Sequence, residues 1–123
     1  MKLLESGEMY LETILILSET NSRVRSIDVC EYMNFSKPSV SRAVNKLKAE
    51  GYINIEADGS LILTEKGKSI ADKMYERHKI ISNGLIALGV SKDVAVADAC
   101  KIEHDISDET FEIIKKHMSK LSK

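Results

Sequence analysis

Residues 34–51, NFSKPSVSRAVNKLKAEG, decide the fold. Ser36 has the side chain of a helix N-cap, and Pro38, the chain's single proline, falls in the first turn, where a missing N–H costs nothing. Val40, Ala43, Val44 and Leu47 then recur at the spacing of one helix face, and Gly51 supplies the stop. With that stripe turned inward, Pro38, Ser39, Arg42, Asn45 and Lys46 face outward. Between Ser36 and Lys48 the segment carries four cations (Lys37, Arg42, Lys46, Lys48) and no acid, so its outer face suits docking on an anionic surface.

Upstream, Met9, Leu11, Ile14, Leu15 and Leu17 mark a first helix from about Ser6 to Thr20, ended by the polar break Asn21-Ser22-Arg23. Ser26 reads as the N-cap of a short helix with Ile27, Val29, Cys30 and Met33 on its apolar face. Asn34-Phe35-Ser36 joins that helix to the basic one. Downstream, YINIEADGSLILT (residues 52–64) sets Asp58-Gly59 between apolar runs, a strong hairpin signal. Helix, short helix, basic helix and hairpin in this order make a winged helix-turn-helix, whose third helix enters a DNA major groove. There Pro38 suits thymine methyls, Ser39 and Asn45 phosphate or base edges, Arg42 guanine N7 and O6, and Lys46 a phosphate; Ser36 and Lys37 complete the candidate set. A merely solvated basic face is the plainer reading for an isolated helix. The hairpin and the capped turn favour DNA.

Beyond the hairpin, Thr64 caps a long helix from about Glu65 through His78 to Leu88, ended by Gly89. Ser91 starts another helix through His104, and Ser107-Asp108-Glu109 a last one to about Leu121. The expected fold is mainly α: a winged helix-turn-helix DNA-binding domain over residues 1–70, then a second, helical domain over 71–123. Its 123 residues, 43% hydrophobic, provide for a modest core, and a net charge of −1 excludes a uniformly basic nucleic-acid binder. Two cysteines and the lack of an apolar leader predict free thiols in a reducing cytoplasm; LETILILSE is too short and polar to span a membrane.

The second informative stretch is DACKIEHDIS, residues 98–107. Cys100, Glu103 and His104 stand at i, i+3 and i+4, so thiolate, carboxylate and imidazole share one helix face and can converge on one divalent ion. On the first helix Met9 and Glu12 have the same i, i+3 relation, and His78 lies in the long helix. Singly, Met9 reads as core filling, Cys100 as a small buried hydrophobe and His78 as a surface histidine. The joint pattern points to a site, where an ion would fix one helix relative to another. Cys30 faces the core and has no assigned role.

EMYLETILIL, VRSIDVCEYMNFSKPSVSRAVNKLKAEGYI, LTEKGKSIADKMYERH and DACKIEHDISDET resemble, in unbroken order over roughly residues 7 to 115, the corresponding blocks of the diphtheria toxin repressor family. The resemblance implies a cytoplasmic homodimer that binds a palindromic double-stranded DNA operator when loaded with Fe(II) or Mn(II) and represses metal-homeostasis genes. Met9, Cys100, Glu103 and His104 match the primary site of iron-responsive members. Manganese-responsive members have carboxylates in place of Met9 and Cys100, and also use a glutamate and a histidine at the positions of Glu12 and His78. Thioether and thiolate favour softer metals, so Fe(II) is expected, with Mn(II) the alternative. Ser82 and Val96 replace a glutamate and a histidine of the iron-type ancillary site, and the SH3-like third domain is missing. Glu12, His78 and Glu103 are then the expected ligands of any second ion.

Two other classes compete. A zinc hydrolase could use a Cys, a Glu and two His, but the chain has no H-E-x-x-H and no glycine-rich phosphate loop, so no enzyme is expected. A metal-independent winged-helix regulator could instead sense oxidants through Cys100. For the dimer contact, Ile102, Ile106, Phe111, Ile113 and Ile114 are the apolar candidates.

Overall fold

The computed structural model describes residues 5–121. In chain order it has α1 (Glu5–Thr20), α2 (Ser26–Met33), α3 (Lys37–Ala49), β1 (Ile53–Ile55), β2 (Leu61–Leu63), α4 (Glu65–Ala87), α5 (Lys92–Asp105) and α6 (Asp108–Leu121). This is the mainly helical architecture with a small sheet that the sequence predicts. The chain divides between Lys73 and Met74 into two compact units, with α4 running through the division.

In the first unit, one core takes Leu11 and Ile14 from α1, Val29 and Cys30 from α2, Val40, Val44 and Leu47 from α3, and Ile53 and Leu61 from the strands. The inward stripe of α3 is therefore the expected one, with Ala43 packed at its edge. Ser36 caps α3, its Oγ accepting the Ser39 N–H at 3.3 Å. Asn34 closes α2 in the left-handed region (φ 57°), and Phe35 donates its N–H to the Cys30 carbonyl at 3.2 Å. Asparagine tolerates that conformation better than most residues, so this tight turn sets how α3 leaves α2.

The start of α2 differs from expectation. Arg25, not Ser26, is the N-cap, and its backbone N–H donates to the Asp28 carboxylate at 2.9 Å. An aspartate in the first turn meets both the free N–H groups and the positive end of the helix, so it fixes the boundary one residue earlier. Ile27 is exposed as well, because the core claims Val29 and Cys30 on the other side of the helix.

The hairpin pairs Ile53 with Leu63 and Ile55 with Leu61, antiparallel. Asp58-Gly59 does not form a two-residue turn. Glu56 donates its N–H to the Ser60 carbonyl and Gly59 its N–H to the Glu56 carbonyl, both at 2.9 Å, enclosing a three-residue loop with Gly59 at φ 88°. A left-handed residue after such a turn lets the strands rejoin in register. Asp58 braces the loop by accepting the Ser60 N–H at 3.0 Å and an Arg23 N–H at 3.1 Å. The Ser60 side chain beside it, and the Ser60 backbone N–H bonded to it, hold its carboxyl below the usual carboxylate range.

Thr64 caps α4 as predicted: its Oγ1 accepts the Gly67 N–H at 3.2 Å while its own hydroxyl donates to the Gly51 carbonyl at 2.7 Å. In the second unit, Ile81, Ala99 and Phe111 pack with Ile80, Leu85, Ile102 and Ile106. Phe111 is 3% exposed, so this aromatic ring belongs to its own unit's core and is not free for a dimer contact; Ile113, 55% exposed, remains available. Gly84 permits α4 and α6 to approach closely, since a Cβ there would lie 2.5 Å from the Met118 sulfur. Ser107 caps α6, accepting the Thr110 N–H at 3.1 Å. Among the described residues no helix is long and apolar enough to cross a membrane.

Gly67 is a point of close approach in the first unit, because a Cβ on it would fall 2.0 Å from the Tyr52 carbonyl oxygen. Gly67→Ala should therefore push α4 off the hairpin and destabilise the protein by about 1–3 kcal/mol, the usual cost of overpacking. Thermal unfolding measures it; an unchanged midpoint would show that the α4–hairpin contact yields without cost.

Candidate metal centre and nucleic-acid interface

The outer face of α3 carries the candidate DNA-reading residues. Ser36, Lys37, Pro38, Arg42, Asn45, Lys46 and Lys48 are exposed, while Ser39 is half-buried. The two serines are occupied by the helix start: the Ser36 hydroxyl donates to Ser39 Oγ at 2.9 Å in addition to capping the Ser39 N–H. Their first task is thus to fix the N-terminal turn, and Ser39 has less freedom toward a base edge than the sequence suggests. Asn45 lies 3.5 Å from Ser41 Oγ through its amide nitrogen, an end-of-range contact that a stronger partner can replace. Arg42 and Lys46 stand one turn apart on α3, a spacing that lets both reach one anionic groove. Behind this face Tyr10 of α1 meets Phe35 edge-on, with ring centroids 6.0 Å apart, supporting the α2–α3 turn. Burial, and less so the nearby Cys30, raises the Tyr10 phenol above its ordinary pKa, so it stays a neutral packing group.

In the second unit three of the expected metal ligands converge. His78 Nδ1 lies 2.9 Å from Glu103 Oε2, and His104 Nε2 lies 3.2 Å from Glu103 Oε1, so the carboxylate is bracketed by an imidazole at each oxygen. The Glu103 and His104 side chains have no exposed surface, and His78 retains 21%. This follows from helix geometry: Glu103 and His104 are consecutive near the end of α5, and His78 comes from the middle of α4. Cys100 lies nearly one turn before Glu103 on α5, half-buried and in no disulfide. Met9 and Glu12 belong to the first unit, nearly a turn apart on α1; Glu12 is buried and Met9 half-buried. Ser82 is also buried, but its hydroxyl donates to the His78 carbonyl at 2.7 Å, a task within its own helix.

A fully buried carboxylate flanked by two imidazole nitrogens fits a divalent cation. The donors are oxygen and nitrogen, both imidazoles ligate in their neutral form, and the buried charge gains from a cation beside it. Sequence reasoning misses Arg77 in this centre. It is 3% exposed and donates to the carbonyls of Glu103 and Ile106, both at 2.9 Å, and to the Asp108 carboxylate. The only hint was its position beside His78, where an arginine normally reads as surface.

Residues 2–61 match the iron dependent repressor N-terminal DNA binding domain, and residues 64–123 the iron dependent repressor metal binding and dimerisation domain. An HTH-type transcriptional regulator of Methanocaldococcus jannaschii is 36% identical over 118 residues, covering 94% of each chain. The transcriptional regulator MntR of Escherichia coli O6:H1 is 32% identical over 106 residues, 86% of this chain and 68% of that one. The iron-dependent repressor IdeR of Mycobacterium tuberculosis is 30% identical, over 88% of this chain and 47% of its own length. Among solved structures, the manganese regulator SloR superposes with a TM-score of 0.82 at 31% identity, and a manganese-dependent transcriptional repressor in complex with manganese with 0.84 at 25%. Each covers 92% of this chain, which spans 53% and 52% of those two chains. Fold, site and relatives together define a metal-dependent transcriptional repressor. The chain belongs to the iron-dependent repressor family, the metal-dependent regulators of diphtheria toxin repressor type.

The α3 face separates two kinds of contact by experiment. Arg42→Ala should relax specificity at one base pair at a cost of about 1–3 kcal/mol, whereas Lys46→Ala should weaken all sequences alike and flatten the salt dependence. Anisotropy titrations with operator and random DNA across salt distinguish them. Equal loss on both DNAs for both variants would make Arg42 a phosphate contact only.

Proposed function

We propose that this protein is an Fe(II)-responsive repressor that binds a palindromic operator as a homodimer in the cytoplasm and controls metal-homeostasis genes. The observation that carries a metal switch is the buried Glu103 carboxylate held between His78 and His104. The primary site is Met9, Cys100, Glu103 and His104, with Glu12 and His78 as further ligands. The DNA-reading set is Ser36, Lys37, Pro38, Ser39, Arg42, Asn45 and Lys46, with the two serines acting first as the helix cap. The DNA-binding domain is taken as residues 1–70 and the metal-binding and dimerisation domain as 71–123.

A bound ion supplies a positive charge that holds donors from different helices together. The chain's own residues do the rest: Glu103 and His104 present their donors from a rigid α5, and Met9 and Glu12 bring α1, which packs on the reading domain's core. Fixing α1 fixes α2 and α3 with it, so two α3 helices of a dimer can be held about 34 Å apart, one DNA turn. A coupling of about 1–3 kcal/mol is enough to change operator affinity roughly 5- to 150-fold.

Mn(II) is the second reading, favoured by one specific contact. His78 already bonds Glu103, and a histidine and a glutamate at the positions of His78 and Glu12 belong to the manganese pattern, whereas Met9 and Cys100 bring the softer sulfur donors that suit Fe(II). Glu103→Gln should abolish metal-stimulated operator binding with fold and dimer intact. Equal affinity for mutant and wild type at saturating Fe(II) would overturn the metal switch. Metal choice is read from anaerobic anisotropy titrations with Fe(II) and Mn(II). Wild type should respond at lower Fe(II) than Mn(II), and Met9→Asp combined with Cys100→Glu should reverse that order; a wild type already more sensitive to Mn(II) would make this a manganese sensor despite its sulfur ligands.

A further inference from the structure

Arg77 makes a set of contacts that no role in the reading above requires. One guanidinium nitrogen donates to two main-chain carbonyls, Glu103 and Ile106, each at 2.9 Å, and the other to the Asp108 carboxylate. The guanidinium also lies over the Phe111 ring, 5.3 Å from its centroid. The carbonyls belong to the last turn of α5 and the residue after it, where a helix leaves acceptors unfilled and carries partial negative charge; Asp108 is the first residue of α6. The buried guanidinium is thus met by helix-end carbonyls and a carboxylate together.

The next residue along α4 is His78, which takes the Glu103 carboxylate. Two consecutive residues of α4 therefore grip Glu103 at both ends, Arg77 by its main-chain carbonyl and His78 by its side chain. His104 follows Glu103 directly, so its aim depends on the same peptide. We infer that Arg77 is a positioning residue of the metal centre: acting through the Glu103 carbonyl, it fixes the direction of Glu103 and His104 before an ion arrives and locks the α5–α6 turn to α4. This rests on the proposed metal ligation by Glu103, His78 and His104.

The test compares the full-length wild type with Arg77→Met, which keeps the stem and removes every donor, Arg77→Lys, which keeps the charge but not the fork, and Asp108→Asn, which weakens the α6 partner and leaves both carbonyl contacts. Mn(II) affinity is measured from the EPR signal of free Mn(II), Co(II) absorption reports ligand geometry, and hydrogen exchange without metal reports the order of the α5–α6 turn. Arg77→Met and Arg77→Lys should bind Mn(II) about 10- to 100-fold more weakly, the usual effect of losing a group that orients a metal ligand, with altered Co(II) bands and faster exchange at residues 102–107. Asp108→Asn should lose thermal stability yet keep Mn(II) affinity within about threefold of wild type, a change within about 0.7 kcal/mol. Should Arg77→Met fail to fold, Arg77→Lys carries the comparison. Wild-type affinity and bands in either folded Arg77 variant, or an equal loss in Asp108→Asn, would overturn the inference and leave Arg77 a stability contact. If wild type itself binds Mn(II), Fe(II) and Co(II) no better than Glu103→Gln, the metal site falls, and with it the premise.

Discussion

Burying the Glu103 carboxylate completely costs several kcal/mol unless its charge is answered; here His78 Nδ1 bonds one oxygen at 2.9 Å, and His104 Nε2 lies 3.2 Å from the other. That requirement ties α4 to α5, and Arg77 extends the tie to α6. His78 must come from α4 at the height of Glu103, and His104 must follow it on α5. The α5–α6 turn must also close tightly enough for Arg77 to reach both its carbonyls and Asp108. The apolar core of this unit is small, built around Ile81, Ala99 and Phe111, so polar contacts define much of its arrangement.

The reading unit follows the opposite logic. Its core is continuous from α1 through the hairpin and aliphatic apart from Tyr10, Tyr52 and Cys30, and its polar devices sit at helix ends: Ser36 for α3, Asp28 for α2, Thr64 for α4. Rigidity is the point of such construction. A reading helix positions Arg42 and Lys46 usefully only if their Cα atoms stay fixed, and α3 is fixed by three buried residues on one side and by caps at both ends. The wing tip carries Glu56 and Asp58, with Asp58 engaged by Arg23, so the positive surface is concentrated on α3.

Much of this was legible in the sequence because periodicity and caps are local. Val40, Val44 and Leu47 announce their own face, and Thr64 and Ser107 announce theirs. Misreadings arose where two local signals competed: Ser26 and Asp28 both suit a helix start, and the charged residue three positions into the helix set the boundary at Arg25. Asp58-Gly59 signalled a hairpin correctly but not its loop length, since Gly59 serves equally as the left-handed residue of a three-residue loop. The i, i+3, i+4 spacing disclosed Glu103 and His104, and the family resemblance added His78. Arg77 stayed hidden because its partners are mostly backbone carbonyls, which leave no trace in residue identity.

Those carbonyl contacts bear on how a small chain can switch at all. Ligand binding shifts an equilibrium only by its differential affinity for two states, so a metal site that forms equally well in both conveys nothing. In the second unit, Glu103, His78 and His104 are already gathered and Arg77 of α4 holds the Glu103 carbonyl, so on the proposed reading that half of the site is a fixed platform. The variable half must then come from groups whose place is not set by the same contacts. On the proposed ligand set those groups are Met9 and Glu12 of α1, which belong to the compact unit that carries α3. Preorganising one half concentrates the binding free energy on positioning the other, and that positioning is what a DNA-reading dimer needs to have controlled.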